Sequence, residues 1–306
     1  MENMELGGMM VKKLRGVITA MTTPFTQNGE VDAEAVGQQT DFLIDKGVHC
    51  LYPCGTTGEM YLMNEAERRL VAEMVVGRAA GRATVYIHCG AMDEGEVVRL
   101  ARHASEIGAD GAGVVTPAYF GVSPRAMVAY YRDICAKLAP EFPVYVYVIP
   151  QLAKNDIDFD TMQAIADACP NVIGVKYSYP DMRRMVEYLK VRGGRFSVVF
   201  GPDDLFLPAL VMGCDGTVSG CASCVPEPFL EVWRAFRAGD MEGARRAQMR
   251  AFDLTVALGR GADMSVFKNV QQMRGVRGGF MRPPLRDLDG GEVAALREAV
   301  APYLPG

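Results

Sequence analysis

The chain has 306 residues, 49% of them hydrophobic and 23% charged, the balance of an ordinary globular protein rather than of a disordered one. The formal net charge is −5 and the sequence pI is about 5.4, so no basic field exists to gather nucleic acid or anionic lipid. No apolar run reaches the roughly 18 residues of a transmembrane helix. Residues 1–14 lack an apolar core followed by a cleavage site. We therefore expect a cytoplasmic protein that binds neither nucleic acid nor membranes.

Eight cysteines are too few for a disulfide scaffold in a chain of this length. Cys50, Cys89 and Cys135 lie within apolar patterns, which favours buried thiols. The spacing Cys221-Ala-Ser-Cys224 could suit a metal or redox site, but no second such pair and no histidine pair accompanies it. We predict that the chain holds no metal.

Short β-branched runs alternate with segments of helical period from Arg15 onward. This alternation predicts parallel strands joined by crossover helices. Eight predicted strands follow in chain order, at residues 16–21, 49–53, 84–89, 111–115, 144–148, 172–176, 197–200 and 216–219. The helices predicted between them lie at 33–45, 64–78, 95–107, 124–138, 159–168, 181–192 and 204–212. Asn64-Glu-Ala-Glu67 has the pattern of a capping box, and Ser123-Pro124 places proline at a first helical turn.

One unbroken series of eight units with apolar strands favours a closed barrel over an open, doubly wound sheet. An open sheet would normally carry a glycine-rich dinucleotide turn, and no GxGxxG or Walker loop follows any predicted strand. After the eighth strand the sequence is purely helical, with helices predicted at 228–238, 241–258, 265–273 and 291–300. We predict an α/β fold with an N-terminal extension (1–14), a (β/α)8 TIM barrel (15–225) and a C-terminal helical region (226–306).

Lys176 closes an otherwise apolar predicted strand, and barrel proteins place their functional groups at such carboxyl ends. An ammonium group there is costly unless it is paired or deprotonated. Burial lowers the pKa of a lysine, and a neutral amine can attack a carbonyl to form an imine. The alternative is a lysine that reaches solvent or pairs with a carboxylate, and strand position alone slightly favours that alternative.

Two other strand ends carry polar groups. The second strand runs into Gly55-Thr-Thr-Gly-Glu59, whose hydroxyls and amides suit a small carboxylate, although the same residues could form a plain turn into the next helix. Tyr145 and Tyr147 face one side of the fifth strand, and Tyr147 is nearer the tip. Taken alone, Tyr147 is better explained as a structural tyrosine of the interior.

Together these strand ends resemble the dihydrodipicolinate synthase and N-acetylneuraminate lyase family of class I aldolases. The resemblance runs from about Arg15 to the C-terminal helices and rests on the order and spacing of four motifs. The family's GTTGE turn, TPxY segment, YNxP tyrosine and GxK lysine match residues 55–59, 116–119, 147–150 and 174–176 of this sequence. Their joint occurrence outweighs the plainer interpretation of each motif.

The resemblance implies that Lys176 forms a Schiff base with the keto group of pyruvate or another 2-oxo acid, so that no separate cofactor is needed. Tyr147 would shuttle protons as a general acid and base, with a hydroxyl relay through Thr56. Thr56 and Thr57 would hold the carboxylate with their backbone amides, in the turn that begins at Gly55.

Other residues match positions around the family's site. The segment that ends in Ser219 and Gly220 would let the substrate approach the backbone closely. Tyr119 matches a family tyrosine that reaches into a neighbouring subunit's site, which implies a homotetramer built as a dimer of dimers. Ser178 fits a K-x-T/S feature of neuraminate lyases. Asp203 and Asp204 match positions that hold sugar hydroxyls there, although a GxDD segment is widespread in the family.

Departures from the family pattern bear on the substrate. Val148 replaces the usual asparagine after the tyrosine. Leu152 stands where dihydrodipicolinate synthases have an arginine that binds the second substrate's carboxylate, and an isobutyl group cannot replace a bidentate cation. Neuraminate lyases commonly have an apolar and then a small residue there, as in Leu152-Ala153. Gly220, however, lacks the serine hydroxyl expected of a sialic acid site.

Three functions follow as hypotheses. The first is a lyase that splits a hydroxylated 2-oxo acid, with a sugar acid as substrate, into pyruvate and an aldehyde. The second is a dihydrodipicolinate synthase that condenses pyruvate with aspartate semialdehyde, in which a residue such as Lys154 supplies the missing cation. The third is a non-catalytic 2-oxo acid sensor, which the presence of both Lys176 and Tyr147 disfavours.

Overall fold

A computed structural model of the chain describes residues 3–261 and 263–304. The strands are β1 (Asn3–Leu6), β2 (Met9–Lys12), β3 (Gly16–Ala20), β4 (Cys50–Tyr52), β5 (Thr84–His88), β6 (Gly111–Val115), β7 (Val144–Val148), β8 (Val172–Tyr177), β9 (Ser197–Phe200) and β10 (Gly216–Ser219). The helices are α1 (Ala33–Asp45), α2 (Glu65–Ala79), α3 (Glu94–Glu106), α4 (Pro124–Cys135), α5 (Pro150–Ala153), α6 (Phe159–Ala168), α7 (Met182–Tyr188), α8 (Phe206–Met212), α9 (Glu227–Arg237), α10 (Met241–Ala257), α11 (Met264–Met273) and α12 (Gly290–Val300).

Eight of the described strands form a closed barrel in the order β10-β3-β4-β5-β6-β7-β8-β9, with parallel neighbours where the register is given. The predicted (β/α)8 barrel is therefore confirmed. Every residue of β6, β7 and β8 is buried, as expected for parallel strands covered on both faces. The predicted strands differ from the observed ones by at most one residue at each end, since parallel strands buried on both faces have near-continuous apolar sequences.

The start signals of two helices are confirmed. The Asn64 side chain accepts a hydrogen bond from the amide of Glu67, whose carboxylate accepts one from the amide of Asn64. The Ser123 side chain caps α4, with Pro124 as its first residue. Helix α7 is shorter than predicted and ends at Tyr188.

The predicted N-terminal extension contains a β-hairpin that the sequence analysis did not identify. β1 and β2 pair in antiparallel fashion, and the two residues between them, Gly7 and Gly8, both have positive φ values. Adjacent glycines favour this kind of two-residue hairpin turn, so the signal was present in the sequence. The domain boundaries at 14 and 225 stay a prediction, and Met1, Glu2, Ala262, Pro305 and Gly306, which fall in the predicted extension and C-terminal region, lie outside the described residues.

The chain divides into two compact units. The first comprises residues up to Arg15 and Thr84–Val218, and the second comprises Gly16–Ala83 and the chain from Ser219 onward. In the first unit a buried polar chain lies near the amino ends of the strands. The Tyr145 hydroxyl accepts from the amide of Leu14 at 3.1 Å and donates to Ser197 Oγ at 2.7 Å. Ser197 donates in turn to Asp215.

The second unit joins β3, β4, α1 and α2 with the C-terminal helices. The carboxamide of Gln271 on α11 links several of these elements. Its oxygen accepts from Thr22 at 3.0 Å and from Gln39 on α1 at 3.2 Å. These groups are buried and bonded to one another, as buried polar groups must be to avoid a desolvation cost. The C-terminal helices are therefore part of this unit's core.

All eight cysteines are buried thiols, as predicted. Across the described ranges 3–261 and 263–304, no three His, Cys, Asp or Glu side chains group in a way that could hold a metal ion. None of the helices in those ranges combines the length and the apolar character needed to cross a membrane.

Candidate active site

Lys176 and Tyr147 lie side by side at the carboxyl ends of adjacent strands. They are register partners on β8 and β7. The Nζ atom of Lys176 lies 3.8 Å from the centroid of the Tyr147 ring, and the two residues are 3% and 2% exposed. The structure therefore encloses the amine beside a phenol and does not expose it to solvent, which was one of the two alternatives.

Burial determines the protonation of Lys176. Removal from water disfavours the ammonium form and lowers the pKa of Lys176 from 10.5 to about 7. The face of the Tyr147 ring attracts a cation and acts in the opposite direction, but such a contact is worth only about 1–2 kcal/mol, less than the desolvation that sets the pKa. A large fraction of the amine is therefore neutral, and nucleophilic, near pH 7.

His88, the last residue of β5, packs edge-on against Tyr147 with ring centroids 5.6 Å apart and an interplanar angle of 90°. His88 is fully buried, and a Cβ atom placed on Gly90 would lie 2.9 Å from its ring. The imidazole is thus confined between Gly90 and the tyrosine, and it holds the plane of the Tyr147 ring. This contact was not predicted, because rings 59 residues apart in sequence leave no local pattern.

In the second unit, the turn that follows β4 is closed by its own backbone. The amides of Gly58 and Met60 donate to the carbonyl of Gly55 at 3.0 and 3.2 Å, and the amide of Glu59 donates to the carbonyl of Thr56 at 3.0 Å. Thr56 is half-buried, as is Thr57. Because the amides of Gly58, Glu59 and Met60 donate to carbonyls of the turn itself, a ligand at this turn would be bound through Thr56 and Thr57.

The end of β10 contacts the same turn. A Cβ atom on Gly220 would lie 3.1 Å from the Phe267 ring and 3.4 Å from Thr57 Oγ1, so glycine gives the backbone this close approach. Ser219 is buried, and its hydroxyl accepts from the amide of Ala222 at 2.9 Å. The Ser219 side chain therefore stabilises the turn after β10.

Comparison with known proteins places nearly the whole chain in one family. The model of the dihydrodipicolinate synthetase family matches residues 13–302 of the chain. The chain belongs to this family. Members of the family are class I lyases and aldolases, and the chain is a carbon–carbon lyase of this kind.

Relatives within the family differ in their named activities. A crystal structure of dihydrodipicolinate synthase from Aquifex aeolicus is 34% identical, with a TM-score of 0.89, covering 95% of this chain and 98% of that one. Proteus mirabilis N-acetylneuraminate lyase is 30% identical, with a TM-score of 0.87, covering 96% and 100%. A protein of Escherichia coli K12 named as a probable 2-dehydro-3-deoxy-D-pentonate aldolase is 34% identical over 247 residues, 80% of this chain and 81% of its own.

The remaining predicted residues on the family's substrate side lie after β6, β7, β8 and β9. Tyr119 is 74% exposed and Leu152, on α5, is 63% exposed. Ser178 is half-buried directly after β8, and its carbonyl accepts from Gln151 on α5 at 2.7 Å. Asp203 and Asp204 begin a short 3₁₀ turn after β9, and both are half-buried.

Asn155 orders the segment that carries the family's TPxY motif, and the sequence analysis did not identify it. Its Nδ2 donates to the carbonyls of Pro117 and Phe120, both at 2.7 Å, and its Oδ1 accepts from the amide of Val122 at 3.0 Å. The residue is only 6% exposed. Tyr119 thus projects from a loop whose backbone is hydrogen-bonded by the buried side chain of Asn155. No motif could predict these hydrogen bonds, because the residues around Asn155 form an ordinary polar stretch.

Proposed function

We propose that this chain is a pyruvate-dependent class I aldolase, which cleaves or forms a carbon–carbon bond of a 2-oxo sugar acid through a Schiff base on Lys176. The observation that supports this proposal most strongly is the buried Lys176 amine with a pKa of about 7, next to the Tyr147 phenol. A structural lysine would gain nothing from such an environment, whereas an imine-forming amine needs it.

In the first step the neutral Lys176 amine attacks C2 of the 2-oxo acid. A carbinolamine forms, the former carbonyl oxygen leaves as water, and a protonated imine remains. Tyr147 is proposed to pass one proton from the attacking amine to the carbinolamine oxygen, with Thr56 relaying it. It then donates its own proton to the departing hydroxyl, which leaves the protonated imine and a Tyr147 phenolate. Lys176 and Tyr147 are both buried, so bulk water is kept from competing for these protons.

In the cleavage step the bond between C3 and C4 breaks. The proton of the C4 hydroxyl passes to the Tyr147 phenolate, the C4 carbon leaves as an aldehyde, and the electron pair of the broken bond enters the imine to give an enamine. Protonation of the enamine at C3 and hydrolysis of the imine then release pyruvate and restore Lys176. Because the protonated imine accepts the electron pair, we propose that the reaction needs no separate cofactor.

Thr56 and Thr57 are proposed to bind the substrate carboxylate. Their turn is glycine-flanked, and Gly220 brings a second stretch of backbone close to Thr57 Oγ1. Hydroxyl and amide donors can bind an anion without a cationic side chain.

A sugar acid is proposed as the substrate because Leu152 places an exposed apolar side chain where the synthases need an arginine. The half-buried carboxylates Asp203 and Asp204 after β9 are suited to bind sugar hydroxyls. The named activity of the pentonate aldolase relative fits this substrate class. The named activity of the neuraminate lyase relative fits it as well.

The alternative within the family is condensation of pyruvate with aspartate semialdehyde. The synthase relatives favour it, and the exposed Lys154, two residues after Leu152, is the cation nearest in sequence. A catalytically inactive sensor finds no support among the relatives reported above, whose names are those of enzymes.

We also propose that the chain forms a homotetramer. Tyr119 and its neighbour Phe120 are 74% and 67% exposed and contact each other edge-on, with ring centroids 5.0 Å apart. Such an exposed aromatic pair suits a subunit contact. Sedimentation analysis of the wild type and of Phe120→Ser would test it, since a monomer in the wild type contradicts the proposal.

Borohydride reduction in the presence of pyruvate, followed by intact mass measurement, tests the proposed chemistry. The wild type should gain one reduced pyruvate, Lys176→Ala should gain none, and Lys154→Ala should behave as the wild type. An adduct that persists in Lys176→Ala would remove the Schiff-base assignment. A panel of 2-oxo sugar acids, compared with pyruvate plus aspartate semialdehyde, then identifies the reaction. Turnover of the semialdehyde alone would favour the synthase.

A further inference from the structure

Helix α11 presents three buried side chains to the loops that follow β4 and β10. Phe267 is 2% exposed and lies against the Gly220 backbone. Gln271 is 1% exposed, and its Nε2 donates to the carbonyl of Ser223 at 3.0 Å. Lys268, between them, is also 1% exposed and reaches Glu59. One face of a C-terminal helix therefore contacts both loops that carry the proposed carboxylate-binding groups.

The contact between Lys268 and Glu59 is a fully enclosed ion pair. Lys268 Nζ lies 2.6 Å from Glu59 Oε1, with side-chain exposures of 1% and 0%. The same ammonium donates to the carbonyl of Phe280 at 2.7 Å and lies 4.7 Å from the centroid of the Phe25 ring. Burial lowers the pKa of Lys268, and the Glu59 carboxylate opposes that shift.

A buried pair of this kind is a poor device for stability alone. Removing two charges from water costs several kcal/mol, and a well-packed apolar pair often stabilises a core equally well. What an ion pair adds is a fixed direction between its partners. In this pair the element held is the turn of Thr56 and Thr57. Glu59 is the last residue of that turn, and its amide donates to the carbonyl of Thr56.

The turn has a backbone that needs such support. Cys54 and Glu59, on either side of it, have φ values of 61° and 59°. A residue other than glycine pays roughly 1–2 kcal/mol for this left-handed conformation, so it persists only where its surroundings hold it. The second carboxylate oxygen of Glu59 accepts a hydrogen bond from the amide of Arg282 at 3.4 Å.

We propose that α11 positions the threonine turn for carboxylate binding, with Lys268 and Glu59 as positioning residues that do not touch the substrate. The inference rests on the proposed function, because it concerns the site at which the 2-oxo acid would bind. Its specific consequence is that loss of the ion pair impairs recognition of the carboxylate group and spares the reactivity of the amine on Lys176.

Two ketones separate these properties. Pyruvate has a carboxylate, whereas acetone offers the carbonyl alone, and borohydride trapping reports capture of either by the lysine. For Lys268→Met we expect the half-saturating pyruvate concentration to rise about tenfold, the equivalent of roughly one hydrogen bond to a charged group. The trapping rate with acetone should stay at the wild-type value.

Lys268→Met leaves Glu59 buried without its partner and could unfold the chain, so the double variant Glu59→Gln with Lys268→Met is the second arm. It removes both charges and should show the same selective loss with a cooperative unfolding transition. Lys13→Met is the matched control, because it breaks the part-buried pair between Lys13 and Asp215, which precedes β10 at the amino end of the strand. It should change neither half-saturation nor acetone trapping.

The outcomes are distinct. Unchanged half-saturation by pyruvate in the double variant overturns the inference and leaves the proposed function intact. Equal losses with pyruvate and acetone also overturn it, since they indicate general damage to the site. A wild type that traps no pyruvate overturns the proposed function, and the inference with it.

Discussion

Tyr147 and Lys176 are register partners on neighbouring parallel strands, and the amine of one lies over the ring of the other. Neighbouring parallel strands bring partner residues to the same height in a sheet, so this contact follows from the pairing of β7 with β8. Because His88 packs edge-on against the same ring, the phenol is held from β5 as well. The proposed catalytic pair is thus placed by paired strands of the barrel.

The capture of pyruvate should depend on pH with a midpoint near 7. Only the neutral amine is nucleophilic, and burial lowers the pKa of Lys176 to about 7. The rate of borohydride trapping at low pyruvate should therefore rise as the pH increases through 7 and level off above it. Trapping rates between pH 5.5 and 9 would measure this, and a midpoint near 10 would mean that the amine is solvated.

The same pKa shift predicts how stability varies with pH. Between about pH 7 and 10.5 the unfolded chain holds a proton on Lys176 that the folded chain lacks, so the free energy of unfolding should rise with pH in this window. Below pH 7 both states are protonated and the burial cost is fully present. Lys176→Met removes that cost and should stabilise the fold at pH 6 by on the order of a few kcal/mol. Urea unfolding at pH 6 and 9 would test this, and equal pH slopes in the two proteins would contradict it.

Two tyrosines on one strand should respond in opposite ways to loss of the hydroxyl. Tyr147→Phe should keep the fold and slow turnover by roughly a hundredfold or more, as loss of a general acid–base does. Tyr145→Phe should lower the free energy of unfolding by about 1–3 kcal/mol, because Leu14 and Ser197 lose their partner, and should leave turnover largely intact. Steady-state kinetics and urea unfolding of both variants provide the comparison. Wild-type turnover in Tyr147→Phe would assign the proton transfer elsewhere.

Asn155 should prove necessary for the order of the loop that carries Tyr119. Asn155→Asp keeps the shape of the side chain but cannot donate to the carbonyls of Pro117 and Phe120. We expect a loss of about 1–3 kcal/mol in the free energy of unfolding, with faster amide hydrogen exchange confined to residues 117–122. An equal increase in exchange rate across the whole chain would instead indicate that the substitution destabilises the fold globally.

Leu152 offers a test of the substrate class by gain of function. Leu152→Arg adds a planar cation at an exposed position of α5, where a carboxylate-bearing aldehyde could bind it in bidentate fashion. Turnover with aspartate semialdehyde should rise relative to turnover with a 2-oxo sugar acid. Leu152→Gln is the uncharged control, and an equal change in both variants would argue against a role for the charge.

Much of the fold was readable from the sequence because it depends on local pattern. Apolar runs of four to six residues between helical periods predicted all eight barrel strands within one residue at each end. The position of Lys176 at a strand end followed from the same pattern. The hairpin at β1 and β2 was missed even though Gly7-Gly8 signals it, since two short strands carry little apolar periodicity.

The tertiary structure alone decided the state of the charged groups. From strand position alone, a solvated or carboxylate-paired Lys176 was slightly favoured, because desolvation depends on neighbours from other strands. Only the folded chain shows that the residue is 3% exposed. The ion pair of Glu59 with Lys268 and the hydrogen bonds of Asn155 to the loop that carries Tyr119 both join residues far apart along the chain. Local sequence sets which elements form, whereas the pKa of a group and the partner of a buried charge are set by packing, which no local pattern encodes.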